Sequence, residues 1–151
     1  MSSSNTLCQW RALTTLSVLL LMLSGFATRV AAEDTATQMA NIRIVNAFMA
    51  AWSDPDEAVR FLAPNASVRM IEDQPPVVGR AAIAQAFKGF MTPDVTLEVE
   101  TLETMTRGPI VMNKRIDTMK TAGKPDQVFP VVGVFLVKDG QILEWTDYLD
   151  K

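Results

Sequence analysis

The sequence predicts an α+β domain: three helices come first, and a curved, mainly antiparallel sheet follows and encloses a pocket with them. Three observations lead there. Met39, Ile42, Val45, Met49 and Trp52 recur at three- and four-residue spacing, the period of an amphipathic helix. From Val95 onward the pattern changes to alternation and stays there through four consecutive segments, the period of strands. Apart from one short strand among the helices, the helical segments precede the strands, which favours helices laid on one face of an antiparallel sheet over a parallel α/β arrangement.

Ahead of the first helix, "MSSSNTLCQWR" carries one positive charge and no acid, and the apolar run "ALTTLSVLLLMLSGFA" follows it. Val30 and Ala32 then fit the small-residue rule for cleavage, so residues 1–32 are expected to be a secretory signal peptide cut after Ala32. The run is about 16 residues long and interrupted by Thr14, Thr15, Ser17 and Ser24, whereas a spanning helix needs ~20 apolar residues. The mature protein is therefore expected in the periplasm or outside the cell, with no membrane attachment, as a single domain over residues 33–151.

Within that domain, "TATQMANIRIVNAFMAAW" is the first helix. "SDPDEAVRFLAP" restarts a short one, with Ser53 or Asp54 as cap, Pro55 in the first turn, and Asp56 and Glu57 at the positive end. Pro64 is expected to end it, and "NASVRMI" to form a short strand. "EDQPPVVG" reads as a loop because paired prolines suit neither helix nor central strand. "RAAIAQAFKGF" is the third helix. "VTLEVETLETM", "PIVMNKRIDTMK", "QVFPVVGVFLVK" and "QILEWTDYLD" are the four long strands, the last two joined by a hairpin at Lys138-Asp139-Gly140.

Composition narrows the chemistry. The chain has no histidine, and its one cysteine, Cys8, lies in the predicted signal. That removes Ser–His–Asp and cysteine nucleophiles and ordinary zinc sites, so no metal or cofactor is expected. Removing Arg11 and Arg29 leaves 12 basic residues against 17 acidic ones, a balance that argues against nucleic acid as a partner. Acid–base work falls to carboxylates, lysines, arginine-supported carboxylates or Tyr148.

Alternation then singles out three charges. One face of the second long strand shows Val111, Asn113, Arg115, Asp117 and Met119, and one face of the last shows Leu143, Trp145, Asp147 and Leu149. The strand between them is apolar on both faces and is expected to be buried on both. With sequential hairpins the outer strands lie about 9.6 Å apart, a gap an arginine can bridge. Register stays open: a two-residue loop sets Asp147 opposite Val132, and a three-residue loop with Gly140 in a bulge sets it opposite Val131. Two carboxylates and one guanidinium become neutral on gaining one proton, so the set presents an acid and a base together. A purely structural ion-pair network is the alternative, though such networks seldom repay their desolvation cost in stability.

These residues resemble the limonene-1,2-epoxide hydrolase family. The resemblance is carried by "NKRID" followed by "FPVVGVFLVKDGQILEWTDYLD", and extends back through "PPVVGRAAI" to "IVNAFMAAW". It implies a cone-shaped fold related to nuclear transport factor 2 and one-step hydrolysis of an epoxide. Asp147 would take a proton from water, Asp117 would protonate the epoxide oxygen, and Arg115 would hold both. It further implies a small lipophilic substrate lined by Met49, Trp52, Phe90, Met119, Phe129, Val131 and Leu149, and it favours the three-residue hairpin loop. The family's water-holding Tyr and Asn of the first strand are replaced here by Val68 and Met70. Glu72 and Asn113 are the candidates to take over that task. A non-enzymatic binding protein for an apolar molecule and a proton-transfer isomerase are the competing functions, and a homodimer through an exposed sheet face is compatible with all three.

Overall fold

A computed structural model describes residues 35–149; the expected signal peptide and cleavage site lie outside the described residues. The site is carried by the unit that begins at Gln38. Helix α1 is helical over the described residues 35–50. Helix α2 (Pro55–Ala58) is capped by Asp54, whose side chain accepts from the backbone N–H groups of Asp56 and Glu57, and it passes into a 3₁₀ turn (Val59–Phe61). Strand β1 (Leu62–Arg69) follows directly, then β2 (Val77–Val78), helix α3 (Arg80–Phe90), and strands β3 (Val95–Arg107), β4 (Ile110–Thr121), β5 (Gln127–Lys138) and β6 (Gln141–Leu149). The result is an α+β fold with an open, curved sheet of six strands in the order β2-β1-β6-β5-β4-β3. All pairings are antiparallel except β1 with β6.

Three expectations need correction. The first strand begins at Leu62 and takes in Pro64. A proline is tolerated there because Pro64 falls in the irregular stretch of the β1–β6 ladder between Leu62 and Ser67, outside its regular pairs. The segment after the paired prolines is not all loop: Val77 and Val78, β-branched and carrying N–H groups, pair with Val68 and Ser67. Strand β5 is buried on one face only; Val128 and Val132 are 58% and 41% exposed on the other.

The core lies between the helices and the inner sheet face. Phe48, Trp52, Phe87, Phe135 and Trp145 form one aromatic cluster, mostly edge to face, with centroids 4.6–6.4 Å apart. Each such ring contributes its buried area plus about 0.5–1.5 kcal/mol per well-oriented pair. Ile83 and Phe87, one turn apart on α3, are both buried in the core.

Candidate active site

The register of the last hairpin decides whether the three charges meet. Lys138 pairs with Gln141 and Val137 with Ile142, around a two-residue loop in which Asp139 and Gly140 both have positive φ, the geometry of a tight hairpin turn. Left there, the ladder would put Asp147 opposite Val132, on the exposed face. A bulge intervenes: Leu136 pairs with Glu144, so Leu143 is an extra residue on β6. Asp147 therefore pairs with Gly133, and neither register expected from sequence is the one found. The one-residue shift exchanges the two faces of the strand and carries Asp147 to the inner face.

Gly133 also pairs with Asn113, while Arg115 pairs with Val131 and Asp117 with Phe129. Asn113 and Asp147 thus flank Gly133, the one position of β5 without a side chain, and the Arg115 guanidinium reaches over it from two residues along β4 to meet Asp147. A Cβ on Gly133 would lie 2.6 Å from Asn113 Oδ1, 2.8 Å from the Phe135 ring, and nearer still to Arg115 Nη1. The guanidinium occupies the space that this glycine leaves. An isolated glycine in "FPVVGVFLV" is the sequence signal for such a close approach.

Arg115, 1% exposed, uses each of its nitrogens. Nε donates to both oxygens of Asp117 at 2.9 and 3.1 Å, Nη1 donates to Asn113 Oδ1 at 3.0 Å, and Nη2 donates to Asp147 Oδ2 at 2.5 Å. Trp145 Nε1 donates to the other oxygen of Asp147 at 2.6 Å. Burial raises the Asp147 pKa to about 6, against the opposing pull of Arg115 and the Trp145 N–H and with a smaller push from Asp117. Burial likewise disfavours the Arg115 charge, but the two carboxylates outweigh it and hold its pKa above the usual value. One cation serving two carboxylates leaves the buried set one proton short of neutral.

Asp117 and Asp147 line a cavity of about 150 Å³. Its other walls are Trp52, Met70, Phe87, Phe90, Met91, Leu97, Met119, Phe129, Val131 and Leu149, so among the described residues the two carboxylates are its only acidic or basic groups. Six of the seven expected pocket residues stand in this wall. Met49 does not: it is buried in the core, beside a separate groove with Asn46, Ala50, Val99 and Thr101. Helical period gave its face but not which end of the cluster it would reach. Phe87, Met91 and Leu97 went unrecognised; Phe87 shares the α3 face of Ile83, which reads as plain core.

The expected water-holding residues are placed elsewhere. Asn113 is 1% exposed, absent from the wall, and accepts from Arg115 through Oδ1; among the described residues its Nδ2 has no hydrogen-bond partner. Glu72 Oε2 accepts from the Leu149 N–H at 3.3 Å and so ties the loop after β1 to the end of β6. Val68 is core, and Met70 offers the wall a thioether. Among the described residues no three His, Cys, Asp or Glu side chains are grouped to hold a metal ion.

The sequence model of the limonene-1,2-epoxide hydrolase catalytic domain matches residues 39–151. Among solved structures, an LEH-like epoxide hydrolase of M. tuberculosis is 28% identical, with a TM-score of 0.68 over 76% of this chain and 85% of that one. An NTF2-like protein of unknown function from Burkholderia pseudomallei (15% identical, TM-score 0.64, 74% and 91% covered) shares the fold. So does a Catenulispora acidiphila protein with a ketosteroid isomerase-like fold (19%, 0.61, 70% and 83%).

Proposed function

We propose that this chain, which belongs to the limonene-1,2-epoxide hydrolase family, hydrolyses a small lipophilic epoxide to a diol by direct attack of water. The observation that carries the reading is Arg115 bridging Asp117 and Asp147, with both carboxylates facing one apolar cavity. Asp147 takes a proton from water as the water oxygen bonds to an epoxide carbon. The carbon–oxygen bond of the ring breaks, and Asp117 gives its proton to the departing oxygen. Arg115 holds both groups and stabilises whichever is ionised. The pair ends with its proton moved from Asp117 to Asp147, and its return resets the site. No cofactor enters this scheme.

With Val68 in the core and Met70 in the wall, the nucleophilic water is held by the carboxylates themselves. The cavity is the size of one that accepts benzene, so the preferred substrate is a compact cyclic or short-chain epoxide whose ring oxygen sits at Asp117. Turnover declines as pH falls through about 6, where Asp147 becomes protonated. The test is diol formation from a panel of such epoxides, compared with Asp147→Asn. Diol from the parent protein that is lost in the variant supports the reading; no diol from any epoxide refutes it.

A second reading, a carrier of apolar molecules, is favoured by one observation: no neutral polar side chain stands where Met70 lines the cavity. It predicts tight binding of a neutral ligand without turnover. The isomerase reading lacks an oxyanion donor at Tyr148, which lies opposite Val132 on the exposed face. We place the mature chain outside the cytoplasm on the strength of "ALTTLSVLLLMLSGFATRVAA", and N-terminal sequencing of exported protein checks it. The exposed Val128, Val132 and Tyr148 favour a homodimer through the outer sheet face, which light scattering reads directly.

A further inference from the structure

We infer that Trp145 is a positioning residue: its indole N–H aims the carboxylate of Asp147 at the cavity and keeps that carboxylate usable as a base. The inference rests on the reading of Asp147 as the base and names what controls it.

Trp145 and Asp147 are two residues apart on β6, so both project from the inner face. Each oxygen of Asp147 receives a different donor: the indole on Oδ1 at 2.6 Å, and Arg115 Nη2 on Oδ2 at 2.5 Å. Two donors on opposite oxygens fix the plane of a carboxylate, whereas one leaves it free to turn. The indole cannot turn either. It stacks on Phe135 with planes 4° apart and centroids 5.8 Å apart, and meets Phe48 and Trp52 edge to face at 5.3 and 4.8 Å. Its N–H direction is therefore set before any ligand arrives, which is the condition for preorganised orientation of a reacting group. Among the described residues Asp147 accepts from no neutral side chain other than this indole, so the lock from behind is what directs its remaining lone pairs at the water.

The same bond acts on protonation. A hydrogen bond to an ionised carboxylate favours that form, so the indole opposes the burial that pushes Asp147 up to about 6. The groups around Asp147 are few. Strand β4 brings Arg115 and Asp117; β5 brings Phe129, Val131 and Gly133; the turn after α1 brings Trp52 and α3 brings Phe87; Met70 follows β1. Glu72 sits on the Leu149 N–H at the end of β6. Among these the indole is the one neutral donor bonded to the base.

Trp145→Phe keeps an aromatic ring in the cluster and removes the donor. Its kcat and KM are measured against pH, and the Asp147 carboxyl is titrated by carbon-13 NMR in parent and variant. The expected result is an Asp147 midpoint about one pH unit higher, the size of a hydrogen bond to a charged group. The acid limb of kcat should move with it, giving a roughly five-fold loss at pH 6, while KM stays within about two-fold. A variant that loses stability but keeps the parent midpoint and limb overturns the inference, because the indole would then only be satisfying its own N–H. Benzothienylalanine at position 145, which keeps the bicyclic shape without N–H, gives the same readouts if the phenylalanine variant does not fold. Absence of turnover in the parent would refute the hydrolase reading and the orienting role with it, whereas an unmoved NMR midpoint in a turning-over enzyme refutes the tuning alone.

Discussion

Gly133→Ala should be among the most damaging single-methyl additions in this protein. The new Cβ would sit 2.6 Å from Asn113 Oδ1 and 2.8 Å from the Phe135 ring, and would overlap Arg115 Nη1 outright. Phe135 is fully buried against Trp145 and has nowhere to go. The guanidinium must give way, and it is held by Asp117, Asn113 and Asp147. Breaking a buried ion pair on one side costs about 3–5 kcal/mol, and overpacking adds about 1–3, against a total stability of about 5–15. The loss should be at least ~3 kcal/mol, with hydrolysis falling further than the remaining folded fraction explains. Gly89→Ala is the control: nothing lies within 4 Å of its Cβ position in α3, and alanine is the better helix former by about 1 kcal/mol. Urea denaturation of both variants measures the contrast. A Gly133→Ala protein within about 1 kcal/mol of the parent, with full activity, would refute the claim that this glycine makes room for Arg115.

Asp147→Asn should change how stability depends on pH. A carboxyl raised from 3.8 to about 6 on folding favours the folded state fully below about pH 4, and this contribution is lost as pH rises through 6. Parent stability relative to the variant should therefore fall by about 2 kcal/mol between pH 4 and pH 8; denaturation at the two pH values measures it, and a constant difference would contradict the burial argument. Met70→Asn puts a hydrogen-bonding group into the wall beside the carboxylates and should raise kcat several-fold with little change in KM, read by steady-state kinetics. Met119→Ala enlarges the cavity from its β4 side and should shift relative kcat/KM toward bulkier epoxides, read by competition between two substrates.

The sequence made Arg115 and Asp117 legible because alternation along an unbroken strand is fixed by backbone geometry alone. Their pairing with Asp147 was not legible. It depends on a single inserted residue, Leu143, and a bulge leaves no distinctive composition in "QILEWTDYLD". The pocket wall divided along similar lines. Met119, Phe129, Val131 and Leu149 followed from family likeness and stand on the faces strand parity allows, whereas Met49, expected from the same likeness, lies in the core, and Phe87, for which no role was expected, lines the wall; helical period says nothing about depth. The outer face of β5 misled for a different reason. Valine satisfies strand propensity whether or not it is buried, so Val128 and Val132 looked like core and are exposed.

The central claim is that water, not a protein carboxylate, attacks the epoxide. A single turnover in oxygen-18 water, with enzyme in excess over an accepted epoxide, separates the two by mass spectrometry of the diol and of the protein. Direct attack puts one oxygen-18 atom into the diol in that first turnover and leaves Asp117 and Asp147 unlabelled. An unlabelled diol with oxygen-18 in either carboxylate would mean an ester intermediate, and would contradict the assignment of Asp147 as a base.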